Sequence, residues 1–341
     1  MIKASVMGAT GYAGIELTRL LYGHPRVQIA HLCSPSSAGE AVEKGYGSFA
    51  GTGLRLEDLP AEDLAAESDV VFTSLPHGAS AENVAKLHGL GVKVIDLSGD
   101  FRYRDVAIYE QWYKVAHPYP KLLQTAVYGL PEWHREQIKA ASLVGNPGCY
   151  TTCSILALAP LLASGAISPR GIVIDAKSGV SGAGKKPSPA LHYCEVDESM
   201  KAYGVATHRH TSEIEQELSA AAGEQIILSF TPHLVPLKRG ILATCYAQDL
   251  GGDLPAAYEK AYAGEPFIKV LPEGELPELK HVVGSNRCHI GFVRDARAGR
   301  IVVVSAIDNL IKGAGGQAVQ NMNLMFGLPE RMGLEALPWY L

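Results

Sequence analysis

The chain opens on a short apolar run over residues 2–7 that stops abruptly at Gly8-Ala9-Thr10-Gly11-Tyr12-Ala13-Gly14. The run has strand length, the glycines predict a turn, and residues 14–23 predict a helix with Ile15, Leu17, Leu20 and Leu21 on its apolar side. Residues 27–32, 70–75 and 92–97 are mainly apolar, as strands buried on both faces of a parallel sheet tend to be. Helical segments alternate with them, most clearly over 79–89. This α/β alternation predicts a doubly wound parallel sheet with ligands beyond the carboxyl ends of its strands.

After about residue 150 the texture changes, with strand-like stretches at 172–176, 226–232, 241–247 and 301–307 between long loops. That pattern predicts a second, α+β domain with a mixed or antiparallel sheet. Residues 309–326 predict a helix with Leu310, Ile311, Ala314, Val319, Met322 and Leu324 as its apolar positions, returning to the first domain. Its glycines at 313, 315 and 316 each lower helix propensity by roughly 1 kcal/mol relative to alanine, so a close backbone approach is expected there. The expected division is 1–148 plus 310–341 for one domain and 149–309 for the other.

The bulk properties narrow the classes of function. A chain of 341 residues is long enough for two cores, and 47% hydrophobic with 19% charged residues is a soluble globular composition. The net charge of −5, with both signs mixed, provides no basic stripe for nucleic acid and no polybasic segment for a membrane. Small molecules are the expected partners. No apolar run reaches the roughly 18 to 20 residues of a membrane helix, and the first residues read as a strand rather than a leader. Six cysteines, at 33, 149, 153, 194, 245 and 288, form no CxxC pair, which points to a reducing, cytoplasmic setting with one thiol doing chemistry.

Between a strand and a helix, the glycines of residues 8–14 allow backbone N–H groups to approach a pyrophosphate at the helix start. Gly8, Thr10, Gly11, Tyr12, Ala13 and Gly14 are therefore candidate cofactor residues. Where an NAD-binding chain usually presents Asp or Glu to the ribose, this one has Ser34, Ser36 and Ser37, which favours NADP(H). A plain polar turn is the alternative, since no arginine accompanies the serines.

Asn146-Pro147-Gly148-Cys149 precedes an apolar run of helical length, 155–162, so Cys149 falls in a first helical turn where N–H groups and the dipole favour a thiolate. Cys153, one turn deeper, reads as a small packed group. A proton carrier is expected nearby, and the run Thr207-His208-Arg209-His210-Thr211 stands out, with Thr211 positioned to cap a following helix. No third and fourth ligand follow at metal spacing, so no metal is expected. Ser98–Arg102, the glycine-rich basic stretch from Ser178 to Lys186 and the pair Lys238-Arg239 suit an anionic substrate.

Taken together, the ordered stretches GATGYAG at 8–14, LPHG at 75–78, DLSGDFR at 96–102, GNPGCY at 145–150, KSGVSGAGK at 177–185, HRHTSEIEQ at 208–216, PHLVPLKRGI at 232–241 and DNLIKGAGGQAVQNMN at 308–323 resemble the N-acetyl-γ-glutamyl-phosphate reductases of arginine biosynthesis. The resemblance implies a Rossmann-type NADP domain and a catalytic and oligomerisation domain like those of glyceraldehyde-3-phosphate and aspartate-semialdehyde dehydrogenases, in a homotetramer or homodimer. It places the nucleophile at Cys149 and the acid/base at His208, with His210 sharing in substrate binding. Arg102, Asn146 and Arg239 fall near substrate; Ser178, Gly179, Gly182 and Asn309 fall near the nicotinamide. Pro35 stands where relatives often carry an arginine, and Thr151 and Ser212 stand where they often carry prolines. The same chemistry on aspartyl or carrier-linked aminoadipyl phosphate, a cysteine hydrolase and a non-catalytic NADP-sensing regulator remain as alternatives.

Overall fold

A computed structural model describes residues 1–339. Two compact units divide the chain: Met1–Pro147 with Ala314–Leu334, and Gly148–Gly313 with the stretch from Glu335 onward. The division inside the expected 309–326 helix has a local cause. Residues Ile311–Gly315 form a π turn, and the regular helix covers only Gly316–Met325. The tail from Glu335 belongs to the second unit, whereas the sequence pattern assigned all of 310–341 to the first; Tyr340 and Leu341 lie outside the described residues.

The first unit is built on strands β1 (Ile2–Met7), β2 (Val27–Cys33), β3 (Val70–Thr73), β4 (Lys93–Asp96), β5 (Val127–Tyr128) and β6 (Leu143–Gly145). All pair in parallel, in the order β2-β1-β3-β4-β6-β5. The chain winds one way from β1 to β2 and the other way through β3 and β4, as the apolar, doubly covered strands require. The helix Gly316–Met325 is buried at every position, and the amide donors of Asn321 and Asn323 are matched within the unit. Asn321 Nδ2 donates to the Gly129 carbonyl at 2.9 Å and Asn323 Nδ2 to the Met332 carbonyl at 2.9 Å. Such matching permits amides in a core.

In the second unit, β7 (Val173–Gly179), β8 (Lys201–Ala202), β9 (Ser229–Val235), β10 (Ile241–Gln248), β11 (Ile268–Val270), β12 (Cys288–Asp295) and β13 (Arg300–Ile307) form one sheet, ordered β11-β12-β13-β10-β7-β9-β8. The β7/β9 and β11/β12 pairs are parallel and the others antiparallel, so the sheet is mixed. β9 lies three residues later than the 226–232 expected from its apolar pattern. Along β10, buried and half-buried positions alternate, so one face is covered by helices.

The covering element is the helix Cys149–Ala163, in which every residue from Tyr150 to Leu162 is buried. Pro160 lies inside it and removes the N–H that would otherwise serve the Leu156 carbonyl. Two buried tyrosines supply donors at this break: Tyr262 Oη donates to the Leu156 carbonyl at 2.7 Å, and Tyr258 Oη to the Ala157 carbonyl at 2.6 Å. Tyr262→Phe is therefore expected to cost about 1–3 kcal/mol by stranding a buried carbonyl. A denaturant titration of the two proteins measures it, and equal stability would show that Tyr262 contributes packing alone.

Candidate active site

In the first unit the geometry explains the glycines. Gly8 has φ +81°, and a Cβ there would lie 2.3 Å from the Ser74 carbonyl oxygen. A Cβ on Gly14 would meet the Gly8 carbonyl oxygen at 2.2 Å, so only glycine allows the helix Tyr12–Tyr22 to start this close to β1. Gly11 is the N-cap residue, with no side-chain cap, and no acidic residue stands in the first turn, which contains Tyr12, Ala13 and Gly14. A helix N-terminus without a side-chain cap or a first-turn carboxylate suits an anion such as a dinucleotide phosphate.

Thr10 Oγ1 lies 2.9 Å from Ser34 Oγ, tying the turn to the end of β2. Ser34 is buried, while Ser36 is exposed and Ser37 half-buried in the 3-10 turn Pro35–Ser37. The chain at Glu57 pairs with this end as well: Ser34 N–H donates to the Glu57 carbonyl at 2.9 Å, and Glu57 Oε2 lies 2.9 Å from His31 Nδ1. Burial chiefly, then the Glu57 and Asp58 carboxylates, push the Cys33 thiol up to about 11. Two acidic side chains therefore approach β2 from a later loop, where the sequence pattern shows none.

Arg102 and Asn146 are both buried in this unit and engage protein groups. Arg102 donates to the Asn146 carbonyl at 2.7 Å and to the Leu97 carbonyl at 2.8 Å. Asn146 Nδ2 donates to the Ala314 carbonyl at 3.1 Å, and its Oδ1 accepts from Asn321 Nδ2 at 3.0 Å. Both side chains hold the loops that follow β4 and β6.

The reactive residues assemble within the second unit. Gly148 is the N-cap of its helix with no side-chain cap, which makes Cys149 the first helical residue; it is half-buried, whereas Tyr150 to Leu162 are sealed. Negative charge on its sulfur is favoured by the N–H groups and dipole of that end. A Cβ on Gly313 would lie 2.7 Å from Cys149 Cβ, which identifies the close approach expected of that glycine. Cys153 is sealed in the core with Sγ 3.3 Å from Ser305 Oγ, and burial drives its thiol well above the ordinary range. It packs, as expected.

The two histidines of the HRH run occupy different surroundings. A Cβ on Gly148 would fall 2.4 Å from His210 Nε2, so the His210 ring lies directly against the backbone that precedes Cys149. His208 is boxed edge-on by the rings of Tyr150, Tyr203, Phe230 and His210. Its Nδ1 accepts the His210 backbone N–H at 3.2 Å, which places its single proton on Nε2. Burial, assisted by the Arg209 charge, lowers it to about 4. Tyr203 Oη donates to Tyr150 Oη at 3.0 Å, and Tyr150 donates to the His233 carbonyl at 3.2 Å. Burial is the main cause raising both phenols, Tyr203 to about 12, and the nearby Cys149 charge adds to it.

Thr211 does not cap the following helix. His210–Ala222 starts with Arg209 in helical conformation, so Thr211 already lies inside the first turn.

Arg239, Asn309, Ser178, Gly179 and Gly182 also come together in this unit. Arg239 Nη2 lies 3.0 Å from Asp308 Oδ1, and its guanidinium sits 5.2 Å from the Trp339 ring. Asn309 Oδ1 accepts from Gly240 N at 2.7 Å while its Nδ2 donates to Ser181 Oγ at 3.0 Å. A Cβ on Gly179 would lie 2.7 Å from Arg239 N, and one on Gly182 would lie 2.9 Å from Ser178 Oγ. Asp308, Glu213, Thr151 and Tyr203 escape a reading of the sequence because their partners lie far away in the chain. Their presence inside the HRHTSEIEQ and DNLIKGAGG stretches is the only signal for Glu213 and Asp308. Among the described residues, no group of three or more His, Cys, Asp or Glu is placed to hold a metal ion, and no helix is long and apolar enough to cross a membrane.

Comparison with known proteins agrees with this division. Residues 3–141 match the family model "Semialdehyde dehydrogenase, NAD binding domain", and residues 149–309 match "Semialdehyde dehydrogenase, dimerisation domain". The chain is 53% identical to N-acetyl-gamma-glutamyl-phosphate reductase of Halothermothrix orenii, with 98% of each protein covered. It is 52% identical to the protein of that name from Moorella thermoacetica, again over 98% of each. Aspartate semialdehyde dehydrogenase II from Vibrio cholerae superposes with a TM-score of 0.73 at 18% identity, covering 96% of this chain and 99% of that one. The Candida albicans aspartate semialdehyde dehydrogenase with NADP superposes at 0.71 and 16% identity, covering 96% and 99%.

The His208 environment predicts its titration. A histidine depressed on folding takes up its proton in the unfolded chain first, so it contributes stability that is present above about 6.5 and lost as pH falls toward about 4, at most about 3 kcal/mol. Nitrogen-15 NMR of His208 is expected to show a neutral, Nε2-protonated ring from pH 7.5 down to 5.5. A midpoint near 6.5 would show that the aromatic box does not exclude the charged form.

Proposed function

The chain belongs to the N-acetyl-γ-glutamyl-phosphate reductase family of semialdehyde dehydrogenases, and from that membership we propose that it makes N-acetylglutamate 5-semialdehyde and phosphate from N-acetyl-γ-glutamyl phosphate and NADPH, as a step of arginine biosynthesis. The observation that carries the proposal is the setting of Cys149: one half-buried sulfur at an uncapped helix N-terminus, with the Gly313 backbone on one side and the His210 ring against the preceding residue.

In this reading the Cys149 sulfur attacks the γ-acyl carbon, a C–S bond forms, and the C–O bond to phosphate breaks. The Cys149 backbone N–H is a donor for the oxygen that becomes negative in the tetrahedral species. A thioester results, and it accepts reduction where a carboxylate would not. The bound nicotinamide supplies the hydride for that reduction. As the C–S bond then breaks, an imidazole of the HRH run moves the proton. Of the two, His210 lies against Gly148, while His208 is held neutral in its box and shapes the wall with Tyr150 and Tyr203. Arg239, immobilised by Asp308 and Trp339, is the cation for the anionic substrate, and Arg102 and Asn146 hold the loops after β4 and β6 in their own unit. Asn309 holds the Ser181 and Gly240 loops that would border the nicotinamide with Ser178, Gly179 and Gly182.

The glycine turn would hold the cofactor phosphates, and Ser34, Ser36 and Ser37 would favour NADP over NAD. Retention of activity with NADH equal to that with NADPH would remove that role from the serines. The family model for residues 149–309 is described as a dimerisation domain, which supports a homodimer or homotetramer. A cytoplasmic setting suits six free thiols.

Phosphate-dependent NADP+ reduction is the direct test. N-acetylglutamate semialdehyde is expected to exceed aspartate semialdehyde in kcat/KM by about 100-fold or more; faster turnover of aspartate semialdehyde would move the chain to the rival substrate. Cys149→Ser is expected to bind NADPH normally and lose roughly a thousandfold in kcat. Substantial turnover by that variant would sink the covalent route.

A further inference from the structure

We propose that Trp339, in the tail of the chain, is a positioning residue for Arg239, a role that rests on the reading of Arg239 as the cation for the substrate given above. The centre of its ring lies 5.2 Å from the Arg239 guanidinium carbon, within the reach over which an aromatic face attracts such a cation. Trp339 N–H donates to the Val283 carbonyl at 2.9 Å, which fastens the tail to the loop before β12. The indole then lies against Gly284, where φ is +88° and a Cβ would fall 2.7 Å from ring atoms Cδ2 and Cε2. Glycine at 284 is what lets the ring come this close.

Two further contacts join that loop to Arg239. Gly284 N–H donates to Asp308 Oδ2 at 2.8 Å, while Asp308 Oδ1 accepts from Arg239 Nη2 at 3.0 Å. At Gly240, the residue after Arg239, a Cβ would fall 2.9 Å from the Leu279 side chain and 3.3 Å from that of Val283. The backbone that carries Arg239 and the loop that seats the indole are thus packed together, and the ring meets the guanidinium as a result. The Asp308 contact anchors Nη2, and rotation of the planar fork about that contact is what an aromatic face opposes. A guanidinium already held in one orientation loses less freedom when an anion binds to it. Burial alone does not account for the indole, because Trp339 is 51% exposed.

In the phosphate-dependent assay, Trp339→Ala is expected to raise KM for the anion that Arg239 holds, semialdehyde or phosphate, by roughly 3- to 10-fold. Both kcat and KM for NADP+ should stay within about twofold. Trp339→Phe keeps an aromatic face and should restore most of the affinity, whereas Trp339→Leu keeps apolar bulk without that face and should not. A double-mutant cycle separates positioning from a general structural effect: in an Arg239→Gln background, Trp339→Ala should change KM no further. The proposal is overturned if Trp339→Ala keeps wild-type KM values, if the Leu variant matches wild type, or if the effects of the Trp339 and Arg239 substitutions multiply independently. Should Trp339→Ala not fold, the Leu variant in the same cycle decides. Wild-type KM values in Arg239→Gln would instead remove the premise, so the two failures are separable.

Discussion

The second unit depends on one helix that has almost no surface of its own. Cys149–Ala163 is surrounded by the sheet and by the helices His210–Ala222 and Leu254–Tyr262, so every polar backbone group it fails to use internally must be met by protein. Its break at Pro160 is met by two tyrosine hydroxyls. At its start, the Gly148 N–H is met by the Glu213 carboxylate. Every side chain from Tyr150 to Leu162 is buried, which leaves Cys149 as the side chain with some access at the N-terminal end.

A second carboxylate organises the other side of the cysteine. Asp308 is fully buried at the end of β13 and accepts from Arg239, from the Leu310 and Ile311 N–H groups through Oδ1, and from the Gly284 N–H through Oδ2. It neutralises Arg239 in part and at the same time starts the π turn that brings the Gly313 backbone to Cys149. Its neighbour Asn309 fastens the loops after β7 and before β10 to the same point. Removing either carboxylate would disturb geometry and charge together, because buried networks of this kind do not divide into independent pairs.

Local pattern is enough to expose some of this and not the rest. The strands of the first sheet are mainly apolar runs, and the glycine turn has the spacing its sterics demand, so both are legible in the sequence. Cys149 is legible because a Pro-Gly turn before an apolar run signals a helix start. The Asn309–Phe326 region misleads: a periodic apolar pattern does not distinguish a π turn followed by a helix from one longer helix, and the glycines that cause the difference look only unfavourable. Thr211 misleads similarly, since helix starts are set by the whole turn and not by a capping residue alone. Glu213, Asp308 and Tyr262 are illegible, because Glu213 and Tyr262 act on backbone groups more than sixty residues away and Asp308 binds the equally distant Arg239 side chain.

The HRH run shows how two identical side chains, two positions apart, acquire different chemistry. The chain turns into a helix between them, so His208 points into four aromatic rings while His210 meets the Gly148 backbone. A proton carrier must gain and lose a proton near neutral pH without large rearrangement. For His208, protonation at Nδ1 would displace the His210 N–H, and burial disfavours the charge. Its ring instead packs edge-on against those of Tyr150 and Tyr203. The two imidazoles are thus separated by environment, one packed among aromatic rings and the other set against the backbone that precedes Cys149.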